Sequence, residues 1–141
     1  MTVDTGTLYE DPALGTQVAN FRAYISGGVL VSTGVVVEFS LTGTASGNDI
    51  NVIDFVPVTT VTIPAFATGA NFTLTGLNDK LVEDTEDIIV DISGVVNAFE
   101  FGVQTQTLTI IDNDHAQLLI SANTGAFNEN GGAALLTITI S

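Results

Sequence analysis

Cysteine is absent from the 141 residues, so the chain has no disulfide framework and no thiol chemistry. Basic residues are nearly absent too. Arg22 and Lys80 stand against sixteen Asp and Glu, for a formal net charge of −14. Two cations cannot build a phosphate-binding face, so neither nucleic acid nor anionic lipid is an expected partner. The single histidine, His115, has no cysteine or second histidine to join. A transition-metal site and a histidine-based catalytic triad are therefore not expected. No apolar run reaches the length of a membrane-spanning helix, and direct membrane insertion is not expected. The opening Met1-Thr2-Val3-Asp4 lacks the basic and apolar regions of a signal peptide. Asp4-Thr5-Gly6 matches the aspartic-protease tripeptide, but only three residues precede it where catalysis needs a buried strand. With no nucleophile–base pair in view, the chain reads as a non-catalytic module.

What is present is β-forming. Hydrophobic residues make up 45% of the chain, mostly Val, Ile, Leu and Phe mixed with Thr. Alternation at a period of two is clear in Val35–Thr42, where Val35, Val37, Phe39 and Leu41 oppose Glu38, Ser40 and Thr42. Glu38 is thus a solvent-face residue. Further strands are expected over Val18–Ser26, Val58–Ile63, Phe72–Leu77, Ile88–Ser93 and Val103–Ile111, with Val29–Val31 continuing the chain after Gly27-Gly28. Asp87 and Asp91 fall opposite Ile88, Val90 and Ile92. Residues 1–15 read as loop or short edge strand, and 94–102 as a long hairpin connection. About seven strands without helical periodicity predict an all-β fold, an antiparallel immunoglobulin-like β-sandwich.

The charge is concentrated. Leu77–Asp87 holds five carboxylates and one lysine, and Asp112-Asn113-Asp114 closes the last strand. Strand ends alternate between the two ends of an antiparallel sandwich. The end where Phe72–Leu77 exits is also where Ile88–Ser93 begins and where Val103–Ile111 exits. Both acidic clusters therefore meet. Clustered carboxylates repel, and a divalent cation relieves that repulsion. Calcium suits the donors, since it takes six to eight oxygens from carboxylates, carbonyls and water. Asp112-Asn113-Asp114 starts like an EF-hand loop, but Ala116 and Gln117 break that pattern and no helices flank it.

Thr44-Ala45, Asp54-Phe55, Asn78-Asp79 with Glu83 and Glu86, and Ile110-Ile111-Asp112-Asn113-Asp114 together resemble a Calx-beta domain. This is a calcium-binding repeat of sodium/calcium exchangers, found also in an integrin and in bacterial surface proteins. The resemblance runs from about Glu10 to Asp114. It implies calcium ligands at Glu10, Asp54, Asn78, Asp79, Glu83, Asp112, Asn113 and Asp114. Asp49 rivals Asp54, while Glu86 reads as a flank and Asp84 as surface. Phe55 replaces the usual tyrosine, and Asn78 and Asn113 replace carboxylates. Each amide removes one charge, so one or two ions bound weakly are expected, with Kd about 10⁻⁴–10⁻³ M.

The tail carries an echo. Thr124-Gly125-Ala126-Phe127-Asn128-Glu129-Asn130 repeats the pattern of Thr5-Gly6-Thr7-Leu8-Tyr9-Glu10-Asp11 at an offset of 119 residues. The chain then divides into a complete sandwich over 1–114 and a linker with the first strand of a following repeat over 115–141. Neighbouring repeats of the same chain, calcium and other surface proteins are the implied partners, at the cell surface or outside it. The competing reading is a metal-independent structural or adhesive spacer.

Overall fold

The computed structural model describes residues 1–45, 55–56 through their backbone, 58–123, 125–126, 129–131 and 133–140. The strands, in chain order, are β1 (Thr2–Val3), β2 (Thr7–Tyr9), β3 (Val18–Tyr24), β4 (Val35–Thr42), β5 (Phe55–Val56), β6 (Thr60–Ile63), β7 (Gly69–Gly76), β8 (Glu86–Val96), β9 (Thr105–Ile111), β10 (Leu118–Ala122) and β11 (Leu136–Ile140). Two sheets pack face to face. One has the order β1-β3-β7-β5 and the other β2-β9-β8-β4-β6; β10 and β11 form a separate hairpin. The all-β sandwich is as expected.

Alternation decides what the sheets bury. Ala19, Phe21 and Ala23 of β3, with Phe72 and Leu74 of β7, point inward from one sheet. Val35, Val37 and Phe39 of β4, Ile88 and Val90 of β8, and Leu108 and Ile110 of β9 meet them from the other. Phe72 links the layers, since its ring lies 4.8 Å from Phe21 in its own sheet and 4.5 Å from Phe39 across the core. Glu38 faces solvent as its register requires.

The strand expectations need five corrections. The first fifteen residues contribute two strands, one to each sheet, and Leu8 is completely buried. β2 runs parallel to β9, pairing Leu8 with Ile110, so the sandwich is not purely antiparallel. Val29–Val31 is not a strand. Gly27 and Gly28 adopt φ of 77° and 68° in a 3₁₀ turn, which swings Val29 and Leu30 out to solvent. β8 runs on to Val96, past the expected stop at Ser93. A bulge between Glu38 and Phe39 absorbs the extra residue, pairing Glu38 with Gly94 but Phe39 with Ile92. The tail, finally, forms two strands where one was expected.

The register fixes the two ends. The chain enters at one of them, where the Met1 ammonium donates to Gln104 Oε1 at 2.9 Å, just before β9. At the opposite end β2, β4, β7 and β9 finish and β3, β5 and β8 begin. Both acidic clusters lie at this second end.

Candidate metal centre

Glu10 follows β2 directly, and the parallel pairing with β9 sets it beside the strand that leads into Asp112. Its N–H donates to the Ile111 carbonyl at 3.2 Å, and its own carbonyl accepts from Gln17 Nε2. Gln17 also holds the exit of β7, because its carbonyl accepts from the Gly76 N–H at 2.8 Å. One residue, through its side-chain amide and its backbone carbonyl, thus ties the Glu10 backbone to the strand preceding Asn78 and Asp79. Nothing in the sequence marked Gln17. Its role comes from a turn that returns the chain between β2 and β3.

Glu10 is the one buried charged side chain among the described residues, at 3% exposure. Asp79 and Asp114, both half-buried, join it: one carboxylate oxygen from each of the three lies within 4.8 Å of the others. Two oxygens bound to one calcium at about 2.4 Å can be no more than about 4.8 Å apart, so this spacing fits a single ion. Like charges at such a distance repel by about 3.5 kcal/mol per pair at an effective dielectric of 20. Glu10 Oε2, Asn113 Oδ1 and Asp114 Oδ2 are all closed off from solvent, and the last two accept no hydrogen bond. A buried oxygen without a donor is costly, and a hard cation satisfies it. The donors are all oxygen, the set calcium prefers.

Asp112 braces the turn around the cluster. Its Oδ2 accepts from the Glu83 N–H at 2.7 Å and its Oδ1 from the Asp114 N–H at 2.8 Å. It clasps the 77–85 loop to the end of β9 and orients Asp114. Partial burial pushes its carboxyl up, but the N–H groups of Asp114, Glu83 and Asn113, with His115 nearby, together hold it below the usual aspartate range. Glu83 supplies its backbone to this clasp and is half-buried. Asp79 Oδ1 accepts from the Leu81 N–H at 2.7 Å, which turns the loop back after the residue that enters the cluster. Asn78 and Asp84 are exposed. Asp54 and its rival Asp49 lie outside the described residues. Of the eight expected ligands, the structure thus brings Glu10, Asp79 and Asp114 to one point, with the buried Asn113 oxygen between two members of the closing triplet.

Asp87 and Asp91 stand on the outer face of their sheet, half-buried and bonded. Asp87 Oδ1 accepts from the Thr44 N–H at 3.0 Å and Oγ1 at 2.8 Å, and Asp91 Oδ1 accepts from Thr105 Oγ1 at 2.9 Å. The Thr44 backbone N–H, followed by its hydroxyl, holds Asp87 below the usual aspartate range. This anchors the start of the Thr44-Ala45 segment at the acidic end.

The two-layer β-sandwich has solved counterparts. The calcium-binding domain CBD12 of CALX1.1 superposes with a TM-score of 0.57 at 23% identity, covering 77% of this chain and 42% of that one. The apo-form Calx CBD1 domain gives 0.56 at 18% identity, covering 77% of this chain and 89% of that domain. CBD12 from CALX1.2 gives 0.57 at 18%, covering 95% and 65%. This chain has the fold of the Calx CBD domains. It spans less than half the length of the first of these structures and most of the single CBD1 domain. No protein-family model matches the chain, and no curated protein sequence is similar to it.

Proposed function

We propose that the chain is a non-catalytic calcium-binding module of a tandem-repeat protein. Calcium would be held at the acidic end by Glu10, Asp79 and Asp114, with the Asn113 amide oxygen. The observation that carries the reading is the convergence of three carboxylates on one point beside buried oxygens that accept no hydrogen bond. The fold shared with the Calx calcium-binding domains supports the same ion. Calcium would remove the repulsion among the carboxylates and lock three separate segments, the β2–β3 turn, the 77–85 loop and the end of β9. Asp112 would position Asp114 and the loop, and Asp112 itself, Asp54, Asn78 and Glu83 remain proposed ligands. A surface or secreted location goes with the reading, since calcium there is plentiful enough to fill a site with the expected Kd of about 10⁻⁴–10⁻³ M.

Isothermal titration with calcium tests it. The chain should bind with millimolar or tighter affinity, and Asp79→Asn and Asp114→Asn should each weaken binding at least tenfold. Glu38→Ala, on the outer face of β4, should bind as the parent does. No calcium binding by the parent would leave the metal-independent spacer as the better reading, and equal binding by Asp79→Asn would place the ion elsewhere.

A further inference from the structure

The β10–β11 hairpin repeats, strand for strand, the pairing that opens the sandwich. β1 pairs with β3 as Thr2↔Arg22 and Val3↔Phe21, and β10 pairs with β11 as Leu119↔Thr139 and Ile120↔Ile138. A shift of 117 residues converts the first pairing into the second on both strands. The same shift carries the inward face onto the hairpin. Met1, Ala19, Phe21 and Ala23, all buried, become Leu118, Leu136, Ile138 and Ile140. Half-buried Val3 becomes Ile120. In the sandwich that face is closed by the β2-β9-β8-β4-β6 sheet, and the free edge of β3 is taken by β7. In the hairpin all five apolar residues are 60–73% exposed. The opposite face is Leu119, Ser121, Thr137 and Thr139, as polar as the outer side of a sheet. Charge sets the segment apart as well, since between Ala116 and Ser141 the only ionisable side chain is Glu129.

We infer that β10 and β11 are the β1 and β3 of a second sandwich. The exposed face of Leu118, Ile120, Leu136, Ile138 and Ile140 is the seat for that sandwich's second sheet, and the open edge of β11 is the seat for its β7. The occupant is a copy of the segment that runs here from Ile25 to Asp114. Aligning the two pairs on their shared apolar face sharpens the repeat seen in the sequence. The motif echo has an offset of 119 but the strands one of 117. The turn from Glu129 to Leu136 is thus two residues shorter than that from Glu10 to Ala19, and the connection ahead of Glu129 is two longer. The inference rests on the tandem-repeat part of the proposed function and is independent of the calcium part.

The test joins a second copy of residues 25–114 directly after Ser141 and follows amide hydrogen exchange in chelator and in calcium. In the parent chain, amides of β10 and β11 should exchange quickly. In the extended chain they should slow by at least about a hundredfold, to the level of β1 and β3, because they join a cooperative core. Ile138→Glu in the extended chain should abolish protection of β10 and β11 and leave that of β3 and β7 unchanged. If the hairpin stays unprotected in the extended chain while the first sandwich keeps its protection, the assignment is wrong. Protection of the hairpin without any effect of calcium would uphold it and defeat only the metal reading.

Discussion

At the scale of single residues, the proposed calcium site gives Asp114 and Asp112 different expected behaviour. Asp114 and Asp79 add negative charge beside a buried glutamate. Asp114→Asn should therefore leave stability in chelator unchanged or slightly higher, while removing the gain from calcium. Asp112→Ala should behave oppositely in chelator. It removes the acceptor of two backbone N–H bonds, each worth about 1 kcal/mol, so the melting temperature should fall by several degrees before any metal is added. Comparing both variants in chelator distinguishes the two roles. Asp87 gives a pH signature. Its carboxyl lies below the usual range because of the Thr44 N–H and hydroxyl, so its contribution is present above the ordinary aspartate value. That contribution is lost as pH falls through the depressed folded value. NMR titration should find the Asp87 pKa below 3.8, and Asp87→Ala should flatten the acid limb of the stability profile below about pH 4.

At the scale of elements, one glycine and one aromatic stack fix how β4 meets its neighbours. Gly43 ends β4 at φ 116°, and a Cβ there would lie 2.2 Å from the Asp87 carbonyl oxygen. Backbone cannot yield as a side-chain tip can, so Gly43→Ala should destabilise the fold by more than about 1 kcal/mol in a chemical melt. Phe72 bridges the layers, and Phe72→Ala should cost about 3–5 kcal/mol through the lost rings and the cavity left behind. How much of this was legible follows from the length and regularity of each element. β4, β7, β8 and β9 are long enough to show a period of two, and the alternating direction of successive strands placed both acidic clusters at one end. β2 has three residues and no period, so its parallel pairing with β9 could not be read, and Glu10 was reached only through the family resemblance. The Asp112 clasp could not be read either, since its donors are backbone N–H groups whose positions depend on the finished turn. The limit of β8 was missed because a bulge lets a strand continue through Ser93-Gly94, which in sequence looks like a stop.

At the scale of the whole molecule, the chain enters at the Met1 end and leaves the sandwich at the acidic end, where Asp114 leads within a few residues into β10. A cation at that end would stiffen the point from which the hairpin departs, linking metal binding to the joint between successive sandwiches. It would also offset part of the −14 charge. The most direct test of this account is a thermal melt of the 141-residue chain in chelator and in 10 mM calcium. With Kd between about 10⁻⁴ and 10⁻³ M, binding to the folded state alone adds about 1.4–2.7 kcal/mol, a rise of roughly 5–10 °C. The account predicts that rise, and its loss in Asp79→Asn and Asp114→Asn. Identical melting temperatures in chelator and in 10 mM calcium would contradict it.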